Sequence, residues 1–163
     1  MVQYNGSMPE VTREFNIGVP VAETWDFFMT PDKMAPCVPG CESVEELEED
    51  IFDAKIGVEV AYTSLTFDAH IEITDKDPSN FAAVEAEASP AGRMPGSATV
   101  DGDLEMAEGE DHTTEGEITI EFAIRGRLGS LGESAFKHQC DKLTDEFLAN
   151  VKEELEGAKV TTE

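Results

Sequence analysis

Positive charge is the scarcest commodity in this sequence. Of its 163 residues, 11 are lysine or arginine and 36 are aspartate or glutamate, for a formal net charge of −25. Phosphate backbones demand a basic patch, so nucleic-acid binding is excluded as a function class. Cysteine is also rare. Cys37, Cys41 and Cys140 make no disulfide framework and fit a reducing compartment. No apolar run approaches the roughly 20 residues that span a bilayer. The N-terminus has neither the basic region nor the apolar segment of a secretory leader, so the expected location is the cytoplasm. The glycine clusters Gly92–Gly96 and Gly126, Gly129 and Gly132 lack the lysine and Ser/Thr of a phosphate-binding loop.

What is abundant is acid laid over periodic apolar residues. The acid is dense in Glu42–Asp53 and Asp101–Glu121 and continues into the last third of the chain. A disordered acidic tail would cluster the charge and lose the apolar period. Here the period persists, so the acid coats a folded domain. Such a surface repels itself at ordinary ionic strength. At molar salt the screening length falls to about 3 Å and the repulsion fades. The expectation is a halophile's protein.

The length fits one domain with a real core. Residues 1–8 read as a loose tail, 9–157 as the domain and 158–163 as a short C-terminal tail. Val11 to Ile17 alternates as a strand, with Arg13 discordant on its apolar parity. Pro20 opens a short helix that buries Val21, Thr24, Trp25 and Phe28. A second turn covers Asp32 to Ala35. Pro36–Cys41, with two prolines and a glycine, forbids regular helix or central strand. Six strands follow: Glu42–Glu46, Ile51–Val60, Ser64–Thr74, Phe81–Ala88, Ser97–Met106 and Gly116–Ile124. Asp75–Pro78 and Glu108–Asp111 are read as turns.

The chain closes on a long amphipathic helix, expected over Arg127–Gly157. Leu128, Leu131, Phe136, Cys140, Leu143, Phe147, Val151 and Leu155 form its apolar stripe. Glu133–Lys137, Lys142–Glu146 and Lys152–Glu156 are spaced for surface pairing. One strand, two short helices, six strands and a long helix make an α+β arrangement. It is a seven-stranded, curved antiparallel sheet around a C-terminal helix, the helix-grip fold.

The inward positions of two adjacent strands are small: Ala82, Val84, Ala86, Ala88, Ala98, Val100 and Gly102. Elsewhere they are large, as at Phe67, Ile71 and Phe122. That imbalance predicts an off-centre apolar cavity under the helix. Its candidate lining is Trp25, Phe28, Phe67, Ala86, Val100, Phe122, Phe136, Cys140, Leu143 and Phe147.

Catalytic and metal chemistry find little support. Cys37, Cys41, His138 and Cys140 have the residue types of a zinc site, but His138 and Cys140 point about 200° apart on a helix. His70 sits outward between Asp68 and Glu72, and His112 in a turn. No clear strand turns a carboxylate inward for acid–base work. No catalytic residue, metal or cofactor is therefore expected. Arg13 has two readings: a register slip or an arginine lying along the surface at the strand edge, against a buried cation that meets a ligand oxygen.

The stretch Pro36-Cys-Val-Pro-Gly-Cys-Glu-Ser43 resembles the CIPGCES-type signature of the CoxG proteins, named for the G component of carbon monoxide dehydrogenase. The stretches GSATVDGDLEM from Gly96 and GRLGSLGESAFKHQCDKLTDEFLANV from Gly126 resemble the same family, so the match runs from about Val11 to Leu155. The resemblance implies the SRPBCC superfamily, which shares the START-like helix-grip fold. It implies a non-catalytic accessory protein of a molybdenum-containing carbon monoxide dehydrogenase or related hydroxylase, binding a hydrophobic molecule such as a quinone or lipid. Longer members carry a C-terminal extension credited with membrane contact. After Gly157 only Ala-Lys-Val-Thr-Thr-Glu follows, so at most weak peripheral membrane contact is expected. The alternatives are a polyketide cyclase or aromatase-type enzyme on the same fold, and a ligand-free docking subunit.

Overall fold

A computed structural model describes residues 10–60, 63–91, 96–126 and 132–161. Strand β1 (Glu10–Ile17) leads into helices α1 (Val21–Phe28) and α2 (Pro31–Met34), then a 3₁₀ turn at Ala35–Cys37. Strands β2 (Cys41–Glu48), β3 (Ile51–Val60), β4 (Thr63–Asp77), β5 (Phe81–Pro90), β6 (Ser97–Glu108) and β7 (Thr114–Arg125) follow, and α3 (Glu133–Thr161) comes last. All seven strands form one antiparallel sheet in the order β1-β7-β6-β5-β4-β3-β2. The expected α+β helix-grip architecture is the one observed.

Strict alternation separates the two faces of the sheet, because successive strand side chains point to opposite sides. Val100 lies opposite Ala86 on one side and Phe122 on the other. One residue along, Asp101 lies opposite Glu85 and Glu121. The apolar row faces α3 and the acidic row faces water. Two buried clusters sit at opposite ends of the inner face. Ile17, Val19, Phe27, Cys37, Leu104, Met106 and Val151 belong to one, and Phe67, Ala98, Phe122 and Phe136 form the other. The buried Thr24 and Thr114 hydroxyls share a 2.9 Å hydrogen bond, and Thr114 donates to the Val19 carbonyl at 2.8 Å. No polar atom of this junction is stranded in the core.

Several expectations need correction. Asp75–Lys76–Asp77 is not a turn. β4 runs through it, with a register shift between Ile73 and Asp75, and pairs with Phe81–Ala83 before the chain turns at 78–80. Pairing with β5 overrides the turn propensity of the Asp-rich run. β2 is longer than Glu42–Glu46 and carries two register shifts against β3. Helix α3 begins at Glu133, after Gly132 at φ +102°, and continues past Gly157 to Thr161. A mid-helix glycine costs only about 1 kcal/mol and, with no proline behind it, does not stop the helix. Leu128 and Leu131 lie outside the described residues. Of the three expected helix pairs, Lys152–Glu156 forms at 2.8 Å, while Lys137 turns to Asp141 at 2.9 Å. Lys142 and Glu146 form no ion pair among the described residues, and the Glu133 side chain lies outside them.

Two glycines are set by close approach. At Gly116 the Phe15 ring covers the backbone, leaving no room for a side chain. At Gly40, φ is +81° and a Cβ would run into the Gly57 carbonyl oxygen. The latter contact, with the 2.8 Å bond from Gly57 N–H to the Gly40 carbonyl, ties the proline segment to β3.

Candidate functional site: an apolar cavity under the long helix

The helix bridges the sheet rather than lying flat on it. Its closest approaches are to β1, the 3₁₀ turn and β3. Polar links fasten its β1 side. The Arg13 guanidinium donates to Asp145 at 2.7 Å and Asp141 at 3.2 Å, Lys152 donates to the Asn16 carbonyl, and Gly18 N–H donates to Glu156. On the other side, Asn150 donates to the Cys37 carbonyl at 3.0 Å. Arg13 is therefore the strand-edge arginine of the two readings. It is half-exposed, its proton is held more firmly by Asp145 and Asp141, and it lines neither part of the cavity.

Between these supports the small residues of β5 and β6 leave space. It has two lobes. The first, about 320 Å³, is lined by Phe28, Met29, Met34, Val38, Cys41, Val44, Phe52, Ile71, Ile73, Ala82, Val84, Ala86 and Leu104, among others. The second, about 380 Å³, is lined by Pro39, Val58, Phe67, Ala88, Ala98, Phe122, Ile124, Phe136, Gln139, Cys140, Leu143 and Thr144, among others. Met34, Val38, Ile56, Val100, Ile118, Ile120 and Phe147 line both, so the lobes meet at a shared neck. Each lobe alone lies in the range of small-ligand pockets.

Nine of the ten candidate residues line this space. Phe28 and Ala86 stand in the first lobe. Phe67, Phe122, Phe136, Cys140 and Leu143 stand in the second, and Val100 and Phe147 stand at the neck. Trp25 lines neither lobe. It packs against the cluster around Ile17 and Val151, because α1 turns Phe28, not Trp25, toward the opening. Sequence reasoning misses Met34, Val38 and Pro39. The proline segment has no period and the four-residue α2 that ends at Met34 is too short to show one, so nothing marks which of their side chains turn inward. Ile118 and Ile120 carry a usable signal, since both fall on the inward parity of β7.

The chemistry of the wall is nearly all hydrocarbon. Asp103, the carboxylate residue on its margin, is exposed on the outer parity of β6. The Cys140 thiol is pushed up mainly by burial, against a hydrogen bond from the Thr144 hydroxyl. Burial also raises Cys41, which lines the first lobe, and Cys37 in the core. A raised thiol stays protonated at neutral pH and is a poor nucleophile. Among the described residues, no group of three or more His, Cys, Asp or Glu is placed to hold a metal ion. His70 pairs instead with Asp53 at 2.8 Å on the outer face. Two open hollows lie on the outer side of the sheet, one near Glu14, Glu105 and Glu117 with Phe15 and Met106, the other near Asp53, Asp68 and Glu87 with Lys55 and His70. Among the described residues, no helix is long and apolar enough to cross a membrane.

A family profile described as CoxG, the G component of carbon monoxide dehydrogenase, matches residues 14–156. The chain belongs to this family. No curated protein matches it in sequence. Among solved structures, a conserved protein from Geobacillus kaustophilus superposes with a TM-score of 0.81 at 21% identity, covering 91% of this chain and 96% of that one. The Zhui aromatase/cyclase from Streptomyces sp. R1128 gives 0.68 at 18% identity, over 91% and 94%. A START superfamily protein from Mycobacterium smegmatis gives 0.66 at 6%, over 91% and 98%. At these identities the likenesses establish the START-like fold. The CoxG-type segment Pro36–Ser43 now has a structural role: Val38 and Pro39 form part of the cavity's cover, and Gly40 fixes that cover to β3.

Proposed function

We propose that this CoxG-family chain is a non-catalytic accessory protein that carries a hydrophobic small molecule, a quinone or lipid, in the cavity under α3. The carrying observation is the cavity itself: two joined lobes, lined by apolar side chains over almost their whole extent. Burying ligand hydrocarbon there is favourable by roughly 25 cal/mol per Å². An aromatase/cyclase reading would need acid–base groups facing the ligand. The described lining contains no histidine, lysine or arginine, and Asp103 faces outward. The proposed partner is a molybdenum-containing carbon monoxide dehydrogenase or related hydroxylase in the cytoplasm. The acidic surface would hold the protein off anionic lipid, less so at high salt.

Native mass spectrometry and solvent extraction of protein purified at molar KCl test the ligand. A bound quinone or lipid that disappears in Val100→Trp, which plugs the neck, is the expected result. Protein that is empty and takes up no quinone would sink the carrier reading and leave a docking subunit. Copurification with the dehydrogenase from the native host tests the partner separately.

A further inference from the structure

Gln139 is the odd member of the cavity wall. It lines the second lobe from α3 and is half-buried, and among the described residues its carboxamide has no hydrogen-bond partner. Of the other polar groups around the lobes, the Thr144 hydroxyl acts on the Cys140 thiol, Asn150 donates to the Cys37 carbonyl, and Asp103 is in water. An amide that gives up water to a purely hydrocarbon ligand gains no partner in return, so such a ligand is penalised. A ligand bringing its own oxygen to that spot is not.

We propose that Gln139 determines the class of ligand: an apolar molecule carrying one hydrogen-bond-accepting oxygen, placed in the second lobe against the Gln139 carboxamide. This rests on the carrier reading above and sharpens it. Gln139 lines the second lobe alone, so the oxygen is fixed there. The apolar body then runs past Val100, Ile118 and Phe147 through the neck into the first lobe. One end of the ligand is recognised and the other is only accommodated, so the protein tolerates variation in the tail and not in the head.

Two probes with matched carbon skeletons test this, 2-acetylnaphthalene with one carbonyl and 2-ethylnaphthalene with none. Their dissociation constants are measured by titration against wild type, Gln139→Leu and Gln139→Glu, each checked for unchanged thermal unfolding. Wild type is expected to favour the ketone beyond what its partitioning into hydrocarbon predicts. Gln139→Leu should move the ratio of the two constants about tenfold toward the hydrocarbon, the loss of one hydrogen bond. Gln139→Glu, which offers a carboxylate in place of the donor, should also lose the ketone preference. If both probes bind and the ratio is the same in all three proteins, the Gln139 assignment is overturned and the carrier reading stands. If neither probe binds wild type, the carrier reading fails and takes this inference with it.

Discussion

On β7, Phe122 is 5% exposed and looks into the cavity, while its neighbour Glu121 stands on the outer face between Glu10 and Asp101. The same contrast extends across the sheet. The inner row Ile71–Ala86–Val100–Phe122 is apolar. The outer row Glu72–Glu85–Asp101–Glu121–Glu10 sets a carboxylate opposite a carboxylate at every step. Like charges directly opposite each other destabilise a strand pair. Glu121 registers the crowding. Its carboxyl is raised above the usual range by burial first, then by a hydrogen bond and charge from Glu10 and by charge from Asp101 and Asp103. The inner face therefore holds the fold together by excluding water, and the outer face strains it in a way that salt relieves.

The broadest way to separate the faces is to change only the solvent. Thermal unfolding should shift upward by tens of degrees between low and molar KCl, because screening acts on the outer rows and leaves apolar burial in place. A flat response in a calorimetric salt series would remove the strain from the outer face. Next in size is Phe122→Ala. It should cost about 3 kcal/mol in denaturant unfolding, at the low end for a buried phenylalanine because one side already faces a void. Glu121→Gln, one residue away, should do the opposite and raise the midpoint slightly at low salt. That gain should vanish in molar KCl, and a loss of stability would contradict the crowding argument.

The smallest effect is a difference in the acid limb. Asp141 is held below the usual carboxylate range, first by its hydrogen bond from Lys137, then by the charges of Lys137 and Arg13. A carboxyl lowered in the folded state adds stability above its unfolded pKa and loses it as pH falls through the folded one. A raised one, as at Glu121, adds stability below its unfolded pKa and loses it as pH rises through the folded value. Asp141→Asn should therefore flatten the decline below the ordinary carboxylate range, and Glu121→Gln should flatten a decline above it. Stability against pH at fixed ionic strength reads both.

This division of faces is legible in the sequence because a half-wet strand has period two. Leu65 to Ile73 and Ile118 to Ile124 announce their parity, and with it the cavity wall. The long helix is legible by its stripe, but not by its ends. Gly157 carries no mark of whether chain packing will continue the helix beyond it. Asp75–Asp77 looks like a turn in isolation and becomes strand because β5 is there to pair with it. Arg13 breaks parity for a partner more than 120 residues away, Asp141, which no local pattern shows. Trp25 escapes a sequence reading because its eight-residue helix buries Thr24, Phe27 and Phe28 and half-buries Val21 and Trp25, and only its docking angle decides which of these meets the cavity.

β2 ends the sheet on the side away from β1, where no further strand among the described residues covers it. Its eight residues include Glu42, Glu45, Glu46 and Glu48, and its ladder to β3 is interrupted twice. A second copy offering its own free edge would meet a fence of carboxylates at low salt. In molar salt that fence thins, and the broken register is what remains to frustrate continuous pairing between molecules. If screening steadies each chain as predicted, it also lowers its guard against other chains, and salt concentration would then set folding stability and colloidal stability in opposition.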